Sequence, residues 1–140
     1  VKLRTGVVMT PTEGPLAKMA RPIQSGFGSA LGSGKQFMPW IHIDDLCEIY
    51  LQSIEDVAMS GPYNAVAPTH ATNAQVTSTI GRVLNRKTWL PNVPAFVLKL
   101  IFGEMAVIFL EGSRVSSHRI EQTGFQFRYP ELEKALTNLM

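Results

Sequence analysis

The side chains able to do chemistry in this sequence are few and scattered. His42 precedes Asp44 and Asp45, the pairing that a general base and its orienting carboxylate would need. In a strand, however, His42 and Asp44 only share a face, so their side chains do not converge on one proton. His42 therefore reads as structural, and Asp44 reads as a helix N-cap. His70 and His118 stand apart from it, leaving no third ligand for a metal. The single cysteine, Cys47, excludes an internal disulfide and a four-cysteine zinc site. On its helix it reads as a small buried hydrophobe rather than a nucleophile. No catalytic residue and no metal ligand is assigned.

The glycine-rich stretch Ser25–Gly34 invites a phosphate-binding reading, which its spacing denies. Gly26, Gly28, Gly32 and Gly34 do not form Gly-x-Gly-x-x-Gly, and Gly34-Lys35 is followed by Gln36 rather than Ser or Thr. Two readings stay open: a flexible surface loop, or the rim of a ligand pocket.

The elements that must position these residues alternate in type. Lys2–Met9 reads as one apolar strand of the kind a parallel sheet buries on both faces. Gly14-Pro15 opens a helix carrying Leu16, Met19, Ala20 and Ile23. Gln36–Ile43 reads as a strand broken by Pro39, and Leu46, Ile49, Tyr50, Ile54 and Val57 follow at helical spacing. Tyr63–Ala67 reads as a further strand. Thr72 and Gln75 have capping-box spacing ahead of the stripe Val76, Ile80, Val83 and Leu84. Strands and helices in this alternation predict an α/β fold with parallel pairing.

The C-terminal third differs. The apolar run Ala95–Leu110 is broken at Gly103-Glu104, so two short buried helices are expected in place of a membrane span. Phe125, Phe127 and Tyr129 alternate with Gln126 and Arg128, as in a strand with one apolar face. Pro130 suits the start of a last helix bearing Leu132, Ala135, Leu136 and Leu139.

The 140 residues suit one compact domain, and 45% hydrophobic against 17% charged residues argues against disorder. The net charge of +2 is uneven, with +4 over residues 1–43, −5 over 44–57 and +3 beyond. No basic run is interleaved with aromatics, so nucleic-acid binding has no support. The basic N-terminal region suits a phosphate-bearing small ligand. No leader-like segment follows Val1, and a cytoplasmic location is expected.

Trp40-Ile41-His42-Ile43-Asp44-Asp45-Leu46 resembles the strand-to-helix signature in the C-terminal half of extended short-chain dehydrogenase/reductases, the NAD-dependent epimerase-like group. More narrowly, the chain resembles the atypical subfamily with its own C-terminal domain of unknown function. Further matching blocks are Leu3–Val8, Leu31–Gly34, Asn64–Pro68, Val93–Ala95, Gly103–Ala106, Leu110–Val115, Gly124–Phe127 and Tyr129–Leu132. Ser113 departs from the pattern, which has Gln there.

The resemblance implies a Rossmann-like α/β architecture whose NAD(P)-binding N-terminal half is absent. Residues 1–90 would be the last sheet strands and the substrate-binding part, and 91–140 a mainly helical epimerase-associated domain. The family's Tyr-x-x-x-Lys pair is also missing: Ile54, Ala67 and Glu133 stand four positions after Tyr50, Tyr63 and Tyr129. By this implication the chain is the substrate-binding half of an NAD(P)-dependent epimerase or oxidoreductase, inactive by itself. Met9, Thr10 and Pro11 would approach the nicotinamide of NAD or NADP. Phe27, Gln36, Met38 and Trp40 would wall the site of a small polar or nucleotide-sugar-like substrate, and Arg114 would meet its phosphate or carboxylate. Arg4 would lie in or beside the sheet in a paired structural role.

The alternative is a non-catalytic interaction or regulatory module, in line with a "cell-division inhibitor" label within the family. Exposed apolar surface at Phe96, Leu100, Ile101, Val107 and Phe109 would favour it. An uncovered edge on the first strand predicts self-association through that edge.

Overall fold

The computed structural model describes residues 1–140, apart from the side chains of Ile108 and Phe109. The apolar N-terminal run forms two strands, β1 (Lys2–Thr5) and β2 (Val7–Met9), separated at Gly6. Helix α1 spans Gly14–Gln24, β3 Trp40–His42, α2 Ile43–Glu55, β4 Pro62–Ala65 and α3 Asn73–Val83. Beyond them lie α4 (Ala95–Phe102), a 3₁₀ turn (Gly103–Met105), α5 (Ala106–Leu110), α6 (His118–Glu121) and α7 (Leu132–Leu139).

Both pairs of strands are parallel, as the alternation of elements predicts, and an isolated antiparallel bridge joins Phe37 to Thr72. β1 pairs with β4, Lys2 opposite Pro62, and β2 pairs with β3, Val7 opposite Trp40. Gly6 is where the strand changes partner. Its amide donates to Ala65 O (3.2 Å) and the next amide, of Val7, to Pro39 O (2.7 Å). A Cβ at Gly6 would stand 2.7 Å from Pro39 O, so only glycine lets the two backbones approach this closely.

The core forms where the amphipathic faces meet. Leu16, Met19, Ala20 and Ile23 of α1 pack with Met9, Met38, Trp40, Val76 and Ile80, and Ala135 and Leu136 of α7 complete the cluster. This core therefore runs across residue 90. A second cluster joins Ile41, Leu46 and Ile49 to Tyr63, Ala65 and Ile120. The capping box is present, with Thr72 Oγ1 accepting from Gln75 N and Gln75 Oε1 from Thr72 N.

Four expectations are corrected. His42 caps α2, its Nδ1 accepting from Asp44 N at 3.0 Å, so Asp44 sits in the first turn. Cys47 is exposed, and so are Tyr50, Ile54 and Val57, because the buried side of α2 is Asp45, Leu46 and Ile49. Residues 125–129 keep their alternating burial but join no ladder among the described residues. The helices of the apolar run are not buried: of α4 only Leu98 is, while Phe96, Leu100, Ile101 and Val107 are 51–82% exposed. The Phe109 side chain lies outside the described residues. Among these no helix is long and apolar enough to cross a membrane.

Candidate functional site

The signature Trp40–Leu46 builds a junction rather than a reactive centre. Neutral His42 uses Nδ1 to cap α2, which assigns its proton to Nε2, and Nε2 donates to Asn138 Oδ1 at 2.9 Å. Its ring stacks on Tyr129, centroids 3.9 Å apart. Asp45, 1% exposed, accepts from the backbone amides of Arg128 (2.8 Å) and Tyr129 (3.0 Å). One imidazole and one carboxylate thus fasten the C-terminal segment to the start of α2. Among the described residues no group of His, Cys, Asp and Glu is placed to hold a metal.

The concave surface suited to a ligand lies across the Gly6 joint. A groove of about 740 Å³ runs along Thr5–Val8 and Pro39 and is walled by Glu111, Gly112 and Ser113. A second groove, of about 390 Å³, shares Thr5, Gly6 and Pro39 with it and adds Arg4 and Arg114. Gly112 makes this wall possible. A Cβ there would stand 1.7 Å from Phe37 O, so any other residue would lift the segment away. Asn64 Nδ2 donates to Ser116 O (3.1 Å) and holds the segment's far end on β4.

Arg4 and Arg114 are both exposed on this surface, and among the described residues neither joins an ion pair. The expected pairing of Arg4 is thus not seen. Two guanidinium groups on one groove suit a ligand with two anionic groups, since each offers a planar fork of donors.

The other expected site residues do not gather there. Met9 is fully buried, so the Met9–Pro11 turn can offer a ligand only its backbone, Thr10 and Pro11. The Thr10 hydroxyl is turned onto Glu13 O. Met38 and Trp40 are core residues, the Trp40 indole donating to Thr69 O at 3.1 Å. Gln36 braces the glycine-rich loop, donating to Leu31 O (2.9 Å) and accepting from Ser33 Oγ (3.1 Å). Phe27 is exposed and lines a separate apolar cavity beside α1.

Nor is the glycine-rich loop free. Gly32 N donates to Val93 O, Ala74 N to Gly34 O, and Leu31 N to the Asn73 carboxamide, which pins the loop to the start of α3. Sequence reasoning missed Asp45, Gly112 and the exposure of Arg4. The signals available were the recognisable blocks in which they lie, Trp40–Leu46 for Asp45, Leu110–Val115 for Gly112 and Leu3–Val8 for Arg4.

Comparison with known proteins agrees with this architecture. Residues 93–139 match the model of a domain of unknown function, DUF1731. The human epimerase family protein SDR39U1 is 40% identical over the whole chain, which covers 48% of it. A crystal structure of that human protein with NADPH superposes with a TM-score of 0.90, over 98% of this chain and 46% of the other. A nucleoside-diphosphate sugar epimerase from Corynebacterium glutamicum is 28% identical, with a TM-score of 0.71 over 96% of this chain and 24% of the other. The chain spans about half the length of the curated relatives it matches. In sequence and in fold it belongs to the epimerase-like extended short-chain dehydrogenase/reductases and corresponds to the C-terminal part of its relatives.

Proposed function

We propose that this chain is the substrate-binding part of a nicotinamide-dependent epimerase or oxidoreductase, and that it takes a nucleotide-sugar-like substrate. The observation that carries the reading is the convergence of Arg4 and Arg114 on one groove, neither of them in an ion pair among the described residues. A diphosphate linkage supplies the two adjacent anionic groups that such a pair recognises. The groove follows parallel strands, and ligands of open α/β folds sit outside their carboxyl ends.

In this reading the chain's own residues bind and orient. Arg4 and Arg114 hold the phosphates, and the Glu111–Ser113 segment closes one side of the groove. Thr10 and Pro11 face the nicotinamide of NAD or NADP, which supplies the hydride chemistry when bound. The family likeness supports this assignment, since a structure of the human relative holds NADPH and another relative is named a nucleoside-diphosphate sugar epimerase.

The test is calorimetric titration of the full-length protein with UDP-glucose, with and without NADPH or NADH. Binding is expected, and Arg4→Ala or Arg114→Ala should each weaken it about tenfold, the loss of one charge-assisted contact. No response to either cofactor or to the nucleotide sugar, in a folded full-length protein, defeats the proposal. The exposed α4 face favours a second reading, a non-catalytic module that binds a further copy of this chain. That reading fails if Leu100→Asp leaves the solution mass unchanged at every concentration.

A further inference from the structure

Apart from the groove, and sharing no lining residue with it, a cavity of about 180 Å³ lies between α1, α3 and α4. Its wall is apolar over Met19, Ile23, Leu31, Leu98 and Phe102, and its polar members are Thr77, Lys18 and the partly buried Ser29. The first is Thr77, which is 3% exposed and whose Oγ1 has no hydrogen-bond partner among the described residues. Two residues further along α3, the buried Thr79 hydroxyl shows the usual solution by donating to Gln75 O at 2.7 Å. A hydroxyl held out of water without a partner is unfavourable, so its position on a cavity wall points to a partner supplied from within the cavity. Most of the wall surface is apolar, so an amphipathic ligand with one polar end fits it better than water alone.

The second polar member is Lys18, half-buried on the same wall. Its ammonium lies 3.1 Å from the Met105 thioether and, among the described residues, in no ion pair. A cation against a weak sulfur acceptor is available to an anion. A cavity of about 150 Å³ accepts benzene, so this one has room for a ring or chain of about six carbons.

We propose that this cavity binds a small carboxylic acid. Its aromatic ring or short aliphatic chain fills the apolar volume, one carboxylate oxygen accepts from Thr77 Oγ1, and Lys18 balances the charge. The site is independent of the nucleotide-sugar reading and stands or falls without it.

The experiment is NMR titration of the methyl-labelled protein with benzoate and, separately, hexanoate, with benzyl alcohol as the neutral control. Saturable shifts of the Leu31, Thr77, Leu98 and Ile101 methyls are expected with at least one acid. Thr77→Val keeps the shape of the side chain and should weaken that acid about tenfold, as should Lys18→Met, because each removes a charge-assisted contact. Benzyl alcohol should bind more weakly than the acid and be indifferent to Lys18→Met. The proposal is overturned if neither acid shifts these methyls, or if both variants bind the acid as tightly as the parent. The methyl spectrum of each variant, recorded before titration, checks that the cavity is folded.

Discussion

Asp44 and Asp45 are adjacent carboxylates with opposite roles, and the difference is where each side chain points. Asp45 is buried and holds two backbone amides 83 and 84 residues away, whereas Asp44 is half-exposed, 3.9–4.0 Å from His42 and Arg128. Asp45→Asn can accept from at most one amide geometry and turns an NH₂ donor towards the other. It should cost about 2–4 kcal/mol, since hydrogen bonds to a buried charge contribute about 1.5–3 kcal/mol each. Asp44→Asn should cost less than about 1 kcal/mol, the range of a surface pair. Urea denaturation of both variants measures this, and equal losses would show the assignment of roles to be wrong. The motif itself was legible, as seven consecutive residues in a recognisable pattern, but its roles were not. A cap is distinguished from a first-turn residue only by where the strand stops, and Asp45's partners are backbone groups that carry no side-chain signature.

At the scale of elements, what could be read was what depends on local chemistry. The capping box at Thr72 and Gln75 formed as its spacing predicts, and Thr72→Ala should lower stability by about 1 kcal/mol in thermal denaturation. The apolar stripe of α1 is buried as its periodicity requires. Periodicity failed at Phe125–Tyr129 because alternation specifies a two-sided segment but not a neighbouring strand to complete the ladder. Here the amides of Arg128 and Tyr129 go to the Asp45 carboxylate instead of a neighbouring strand, and Phe125 packs edge-on against Phe127 on the same face, ring centroids 4.9 Å apart. α2 failed for a related reason: Tyr50, Ile54 and Val57 are apolar and regularly spaced, yet the described chain offers them nothing to pack against. Gly112 is the element-scale residue on which the groove depends. Gly112→Ala should cost about 1–3 kcal/mol, the range for forcing extra atoms into a packed site, and should raise the rate of proteolytic cleavage within residues 111–116. A variant with parental stability and cleavage rate would show that the wall needs no glycine.

Taken as a whole, the chain carries a sheet edge with no partner among its described residues. β1 and β2 each pair on one side only, with β4 and β3. Lys2 N donates to Gly61 O, Gly6 N to Ala65 O and Val7 N to Pro39 O, so these amides face the paired side. Strand alternation then turns the amides of Leu3, Thr5 and Val8 towards the open side, where they form a template for another strand. The exposed α4 face is a second candidate surface, but apolar contact there has no register, whereas the edge specifies one. We therefore expect the chain to self-associate through β1 and β2, giving a concentration-dependent mass that approaches twice 15.4 kDa in light scattering. Thr5→Lys places a charge on the edge without entering the core and should return the mass to 15.4 kDa, whereas Leu100→Asp on α4 should not. The reverse pattern would move the interface to α4. A constant 15.4 kDa at every concentration would mean that the edge is protected by its own twist and by the groove wall at Glu111–Ser113.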